Sequence, residues 1–175
     1  AWFRKNVDFS ALQCENLKLY LERTRITELY IDGKKIGRQE SLCTPHIYDL
    51  NEYIGTGVHE MTICVSNVGY KTKGGHLTSP DTQTNWNGIT GRIELIGYKN
   101  AHAENVMLWC DIHSKTVRVT ADITGGKGGK AVISAESFNS EKNHTPAVQS
   151  FEYTDGKLDA LYKMGDDCLL WSEHE

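Results

Sequence analysis

The sequence predicts an all-β protein built from two successive sandwiches, and three observations carry that expectation. Apolar residues recur with a period of two through many short segments, the pattern of strands with one dry face. Gly-rich turns separate those segments. Helical periodicity is nearly absent, which leaves sheet on sheet as the way to bury a core.

Taken in order, "LKLYLE" alternates Leu17, Leu19 and Leu21 with Lys18, Tyr20 and Glu22. "ELYIDGKKIG" follows as a hairpin, because Asp32-Gly33 supplies the positive φ angles of a tight two-residue turn. "MTICVSN" sets Met61, Ile63 and Val65 on one face, and "GRIELIGY" does the same with Ile93 and Leu95. In the second half "VMLWCDI", "KTVRVTADI" and "KAVISAESF" read as strands, the last two joined by "TGGKGG". The polar, unpatterned "YKNAHAEN" divides the chain into domains at residues 1–98 and 99–175. The second is short for a seven-stranded immunoglobulin-like sandwich of roughly 100 residues.

Composition excludes several functions. The 175 residues carry 19 Lys and Arg against 23 Asp and Glu, a net charge of -4 with no basic stripe. Nucleic acid is therefore not an expected partner. No apolar run reaches the roughly 18 residues of a membrane-spanning helix, so no membrane partner is expected, and the first residues lack the features of a signal peptide. The five cysteines, at 14, 43, 64, 110 and 168, form no C-x-x-C pair and are expected to be buried structural thiols. Trp109 and Trp171, within apolar runs, are expected in the core, and Arg23 and Arg25 are expected at strand spacing on a solvated face or domain contact. The seven histidines show neither H-x-H nor H-E-x-x-H spacing, so no metal or cofactor is expected. A phosphate loop and a G-x-S-x-G elbow are likewise missing.

One segment is unusually rich in hydrogen-bonding side chains. "HLTSPDTQTNWNG" puts His76, Asp81, Gln83, Asn85, Trp86 and Asn87 just ahead of a strand, with Pro80 and Gly88 bracketing most of them. A pyranose offers hydroxyls at its edge and C–H groups on its faces. Planar amides and carboxylates suit the first and an indole suits the second. The same residue types also serve turns, where Asn, Asp and Thr bond their own backbone, and a Trp ahead of a strand also serves to plug a sandwich end.

The ordered motifs resemble glycoside hydrolase family 2, which includes β-galactosidases, β-glucuronidases and β-mannosidases. "WFRKNVDFS", then "LYLERTRITELYIDGKKIGRQESLCTPHIYDLNEYIGTGVHEMTICVSN", then "TNWNGITGRIELIGY" are similar to the family's sugar-binding domain, and "LLWSEHE" is similar to a segment of the following immunoglobulin-like domain. The resemblance implies a jelly-roll-like, galactose-binding-type sandwich at 1–98 and an immunoglobulin-like one at 99–175. It also implies flanking chain on both sides, with a catalytic (β/α)8 barrel on the C-terminal side. In such enzymes two glutamates about 5 to 5.5 Å apart cleave the glycosidic bond with retention. Both belong to the barrel, so no catalytic residue is expected in this chain.

What the resemblance implies for these residues is binding. Asp81, Asn85 and Trp86, with Gln83, Asn87 and His76 behind them, would rim a substrate pocket, and the partners would be carbohydrate and the barrel. A β-galactosidase-like parent and a periplasmic or extracellular location are the implied setting. Two other classes stand beside this one: a free-standing carbohydrate-binding module, and an adhesion protein of sandwich repeats. The halves share no repeated motif, which counts against the last.

Overall fold

A computed structural model describes residues 1–69, 88–138 and 141–171. Among them the protein is all-β with antiparallel pairing throughout, and one 3-10 turn, Asn51–Tyr53, is the only helical element. The chain divides into two compact units, Ala1–Lys99 and Asn100–Glu175.

In the first unit, β1 (Trp2–Asp8), β3 (Ile26–Ile31), β4 (Lys34–Glu40) and β6 (Val58–Ser66) form one sheet in the order β1-β6-β3-β4. The strands β2 (Asn16–Leu21), β5 (His46–Asp49) and β7 (Ile93–Tyr98) form the other, in the order β5-β2-β7. The expected alternation is present: Leu17, Leu19 and Leu21 of β2 are buried against Leu29, Met61 and Ile63 of the facing sheet. The β3–β4 hairpin turns at Asp32 (φ 49°) and Gly33 (φ 77°), the left-handed pair that a two-residue loop requires.

Three polar side chains are buried within this sandwich and satisfy one another. Thr27 Oγ1 lies 2.6 Å from His46 Nδ1 and 2.7 Å from the Tyr48 hydroxyl, which donates to the Thr27 carbonyl at 2.9 Å. The Ser41 N–H reaches His46 Nε2 at 3.0 Å. The Ser41 carbonyl lies 3.0 Å from the same Nε2, so a neutral His46 finds a partner on each ring nitrogen in either tautomer. Burial pushes the His46 imidazole below, and the Tyr48 phenol above, their ordinary ranges.

The second unit is a five-stranded sheet in the order β10-β11-β12-β9-β8. Its strands are β8 (His102–Asp111), β9 (Thr116–Thr124), β10 (Gly128–Ile133), β11 (Gln149–Thr154) and β12 (Lys157–Lys163). Val119, Ala121, Leu158, Ala160 and Tyr162 make its buried face. The β11–β12 hairpin was not among the expected strands, although "YTDGKLDALY" carries its signal: Asp155 and Gly156 both take positive φ between alternating residues.

Several expectations are corrected. Residues 102–105, expected in a polar linker, belong to β8, because polar side chains alternate freely on an edge strand with little to bury. Trp109 is 57% exposed and Trp171 87% exposed, so neither is a core residue in these units. Register explains Trp109: it lies opposite Arg118, on the face carrying the Arg118–Asp159 ion pair, while its neighbour Leu108 lies opposite Val119. Cys43 and Cys110 are exposed and Cys14, Cys64 and Cys168 half-buried, all as free thiols. Arg23 and Arg25 are not on a strand. They sit in the connection between β2 and β3, Arg23 in the left-handed region (φ 55°) and Arg25 buried.

Candidate functional site

His76, Asp81, Gln83, Asn85, Trp86 and Asn87 lie outside the described residues. Their chain neighbours on either side are described, and they show how the ends of the segment are held. On the incoming side, Ser66 closes β6 opposite Ile26, and its hydroxyl bonds both the N–H and the carbonyl of Val68. On the outgoing side, Gly88 takes φ 90°, Ile89 packs on the core, and Thr90 donates to the Arg23 carbonyl through its N–H and its hydroxyl, both at 3.1 Å.

Glu22 and Arg92 lock that outgoing end. Glu22 N–H donates to the Arg92 carbonyl at 2.9 Å and Gly91 N–H to the Glu22 carbonyl at 3.1 Å. The Glu22 carboxylate accepts from the Arg92 N–H and from its Nε, each at 3.1 Å. These two bonds hold the Glu22 carboxyl below the usual carboxylate range, the backbone donor first and the guanidinium second. The Arg92 guanidinium also stands 4.9 Å from the Tyr20 ring centroid and bonds its hydroxyl at 3.2 Å. Gly91 has no alternative here, since a Cβ would stand 2.7 Å from Glu22 Cβ.

The outgoing end therefore rests on the connection between β2 and β3, where Thr24 and Arg25 are buried, while the incoming strand closes opposite Ile26 at the start of β3. Reading the residues for sugar chemistry singled out the polar side chains between the ends and missed Tyr20, Glu22 and Arg92, which anchor the outgoing end. The signal was weak. A Glu at the end of a strand and a "GR" pair before another become meaningful only when the sheet brings them together.

The first unit also contains an open cleft of about 630 Å³ between its sheets, beneath the edge strands β1 and β7. Phe3, Val7, Leu19, Met61, Ile63 and Leu95 line it, with Lys5, Asp8 and Glu94 also present. Ile93 and Leu95 keep the face expected of them yet are 58% and 38% exposed, because β7 is the last strand of its sheet. The apolar walls suit aliphatic and aromatic groups rather than a hydroxyl-rich ligand.

Among the described residues no group of three or more His, Cys, Asp or Glu could hold a metal ion, and no helix is long and apolar enough to cross a membrane. No protein-family model and no curated protein matches the sequence. Solved structures do match. A β-glucuronidase from an uncultured Clostridium species superposes with a TM-score of 0.60 at 21% identity, covering 94% of this chain and 30% of that one. A β-glucuronidase from Bacteroides uniformis gives 0.69 at 14% identity over 98% of this chain and 22% of its own. A β-D-mannosidase from Dictyoglomus thermophilum gives 0.61 at 17% identity, covering 93% and 24%.

The chain shares its fold with part of these glycosidase structures. At such identities the likeness is one of fold, and the chain spans less than a third of the length of each of the three.

Proposed function

We propose that this chain is a non-catalytic part of a larger family 2 glycoside hydrolase, β-galactosidase-like in its parent activity, and that it supports and rims the substrate pocket of a catalytic barrel. The observation that carries this reading is the asymmetry of the structural likeness: 93–98% of the chain is matched, but only 22–30% of each glycosidase. The order and spacing of the sequence motifs support it independently. On this reading the first unit is a jelly-roll-like, galactose-binding-type sandwich and the second an immunoglobulin-like one. Hydrolysis of the O-glycosidic bond with retention is the work of two barrel glutamates.

The chain's own part is positioning and contact. Asp81, Asn85 and Trp86 are the first candidates for touching sugar, with Gln83, Asn87 and His76 behind them. The Glu22–Arg92–Tyr20 frame supports that assignment, because a fixed anchor is what a binding loop needs to hold its side chains in place. A free-standing carbohydrate-binding module is the competing class, and calorimetric titration separates the two. The 175-residue chain is expected to bind galactosides, glucuronides and mannosides feebly or not at all. In the full-length gene product, Trp86→Ala should lower kcat/KM by roughly three- to ten-fold, the loss of one stacked ring. Tight binding by the chain alone, abolished by Trp86→Ala, would establish the module instead.

A further inference from the structure

The first unit is open along one side. There β1 ends its sheet, paired with β6 alone, and β7 ends the other, paired with β2 alone, and both edges border the apolar cleft. Directly opposed residues of an antiparallel pair share a face, so Phe3 and Lys5, opposite Ile63 and Met61 of the core, point inward together with Val7. Ile93 and Leu95 point inward from β7 in the same way, opposite Leu21 and Leu19. Phe3 is nonetheless 49% exposed and Ile93 58%. Lys5 thus stands on an inner face between two apolar side chains, and among the described residues no ion pair or hydrogen bond reaches it. The two acids that line the cleft are already engaged, Asp8 by Ser10 and Glu94 by Arg92 at 3.6 Å.

The backbone of β1 is unpaired on the same side. The Val65 N–H donates to the Ala1 carbonyl and the Phe9 N–H to the Gly57 carbonyl, both at 2.8 Å, which makes the odd-numbered residues the hydrogen-bonded positions of the β1–β6 ladder. Arg4 and Asn6 therefore turn their N–H and C=O groups away from β6, toward the open side. We propose that an extended strand from the parent protein's own chain, outside residues 1–175, pairs antiparallel with β1 through these groups and closes the cleft. It sets an Asp or Glu opposite Lys5 and an apolar residue on either side of that acid, opposite Phe3 and Val7. Seen from this side Lys5 is in a closely spaced, non-hydrogen-bonded position, where facing Cβ atoms stand about 5 Å apart. A carboxylate there reaches the ammonium directly.

Charge and connectivity select this occupant. A second copy of β1, laid antiparallel so that Phe3 meets Val7, would bring Lys5 against Lys5, a like-charged pair at the centre of the new ladder. An inward lysine on an edge strand also guards against chance pairing, so a strand without an acid at that position is turned away. The inference rests on the reading above that the chain is part of a longer protein, since it spans less than a third of each glycosidase it matches. A strand tethered in the same polypeptide meets β1 at an effective concentration in the millimolar range, with no partner to be recruited. Apolar edges of this kind are ones that proteins cover rather than leave to water.

Two heptapeptides, acetyl-TVTETVT-amide and its lysine counterpart acetyl-TVTKTVT-amide, probe the cleft in the 175-residue chain and in the full-length gene product. The Glu peptide should bind the chain roughly ten-fold more tightly than the Lys peptide, the swing between an attractive and a repulsive cross-strand pair. Lys5→Glu should reverse that order. Amides of Arg4 and Asn6, fast to exchange in the free chain, should gain protection from the Glu peptide, while those of β4, the opposite edge of the same sheet, should not change. In the full-length gene product the same two amides should be protected without peptide, and neither peptide should bind. Equal affinity for the two peptides, or none for either, would overturn the pairing at Lys5. A full-length protein that takes the Glu peptide as tightly as the chain does would overturn the assignment to its own strand and point to a separate protein. A closed cleft in a full-length protein that cleaves no glycoside would sustain this inference and sink only the glycosidase reading.

Discussion

At the scale of single residues, two groups carry more than their size implies. Gly91 lets the peptide after the polar segment pass directly against Glu22, where an added Cβ would stand 2.7 Å from Glu22 Cβ and 2.8 Å from its Cγ. Gly91→Ala is therefore expected to push the two backbones apart, at a cost of about 1–3 kcal/mol in denaturant unfolding. The second group is His46, whose imidazole is held below its ordinary range by burial. Because the folded form resists protonation more than the unfolded form, its stabilising contribution is full above the unfolded value of about 6.5 and is lost as pH falls through the folded one. The unfolding midpoint should drop between about pH 7 and about pH 5, and His46→Gln should flatten that slope. A wild-type midpoint that rises on acidification would refute the neutral, Thr27-bonded histidine.

At the scale of elements, turns decide as much as strands do. The β11–β12 hairpin depends on Asp155 and Gly156 in the left-handed region, and a Cβ on Gly156 would come within 3.0 Å of the Ile123 carbonyl oxygen. Gly156→Ala should destabilise the second unit by about 1 kcal/mol or more, read as a lowered midpoint for the β9–β12 amides with the first unit unchanged. The Asp32-Gly33 hairpin was legible because the same dipeptide stood between two clearly alternating runs. The 155–156 hairpin was overlooked because "QSFEYT" is mostly polar, and only its pairing with β10 shows Phe151 and Tyr153 packing on the core.

The same contrast holds for side chains. Alternation at Leu17–Leu21 and Met61–Val65 revealed the buried face directly, since each strand has a facing sheet to pack against. Hydrophobicity misled for Trp109, which lies on the face of the Arg118–Asp159 pair, and for Cys110, which lies opposite Val117 on an edge strand where an inward side chain is left uncovered. At the candidate site, the polar residues between 76 and 87 could be named from their chemistry. The Glu22–Arg92 lock that anchors the outgoing end joins residues 70 apart and was beyond any local pattern.

At the scale of the whole molecule, the described residues form two all-β units, and among them the motifs of hydrolytic or metal chemistry are not assembled. A fold shared with part of several glycosidases makes sense of that combination if the chain positions substrate for residues held elsewhere. The most direct measurement is the turnover of chromogenic β-galactoside, β-glucuronide and β-mannoside substrates by the 175-residue chain and by the full-length gene product, side by side. The account predicts hydrolysis by the longer protein and none by the chain. Glycoside cleavage by the chain itself, or a longer protein inert toward every glycoside, would contradict it.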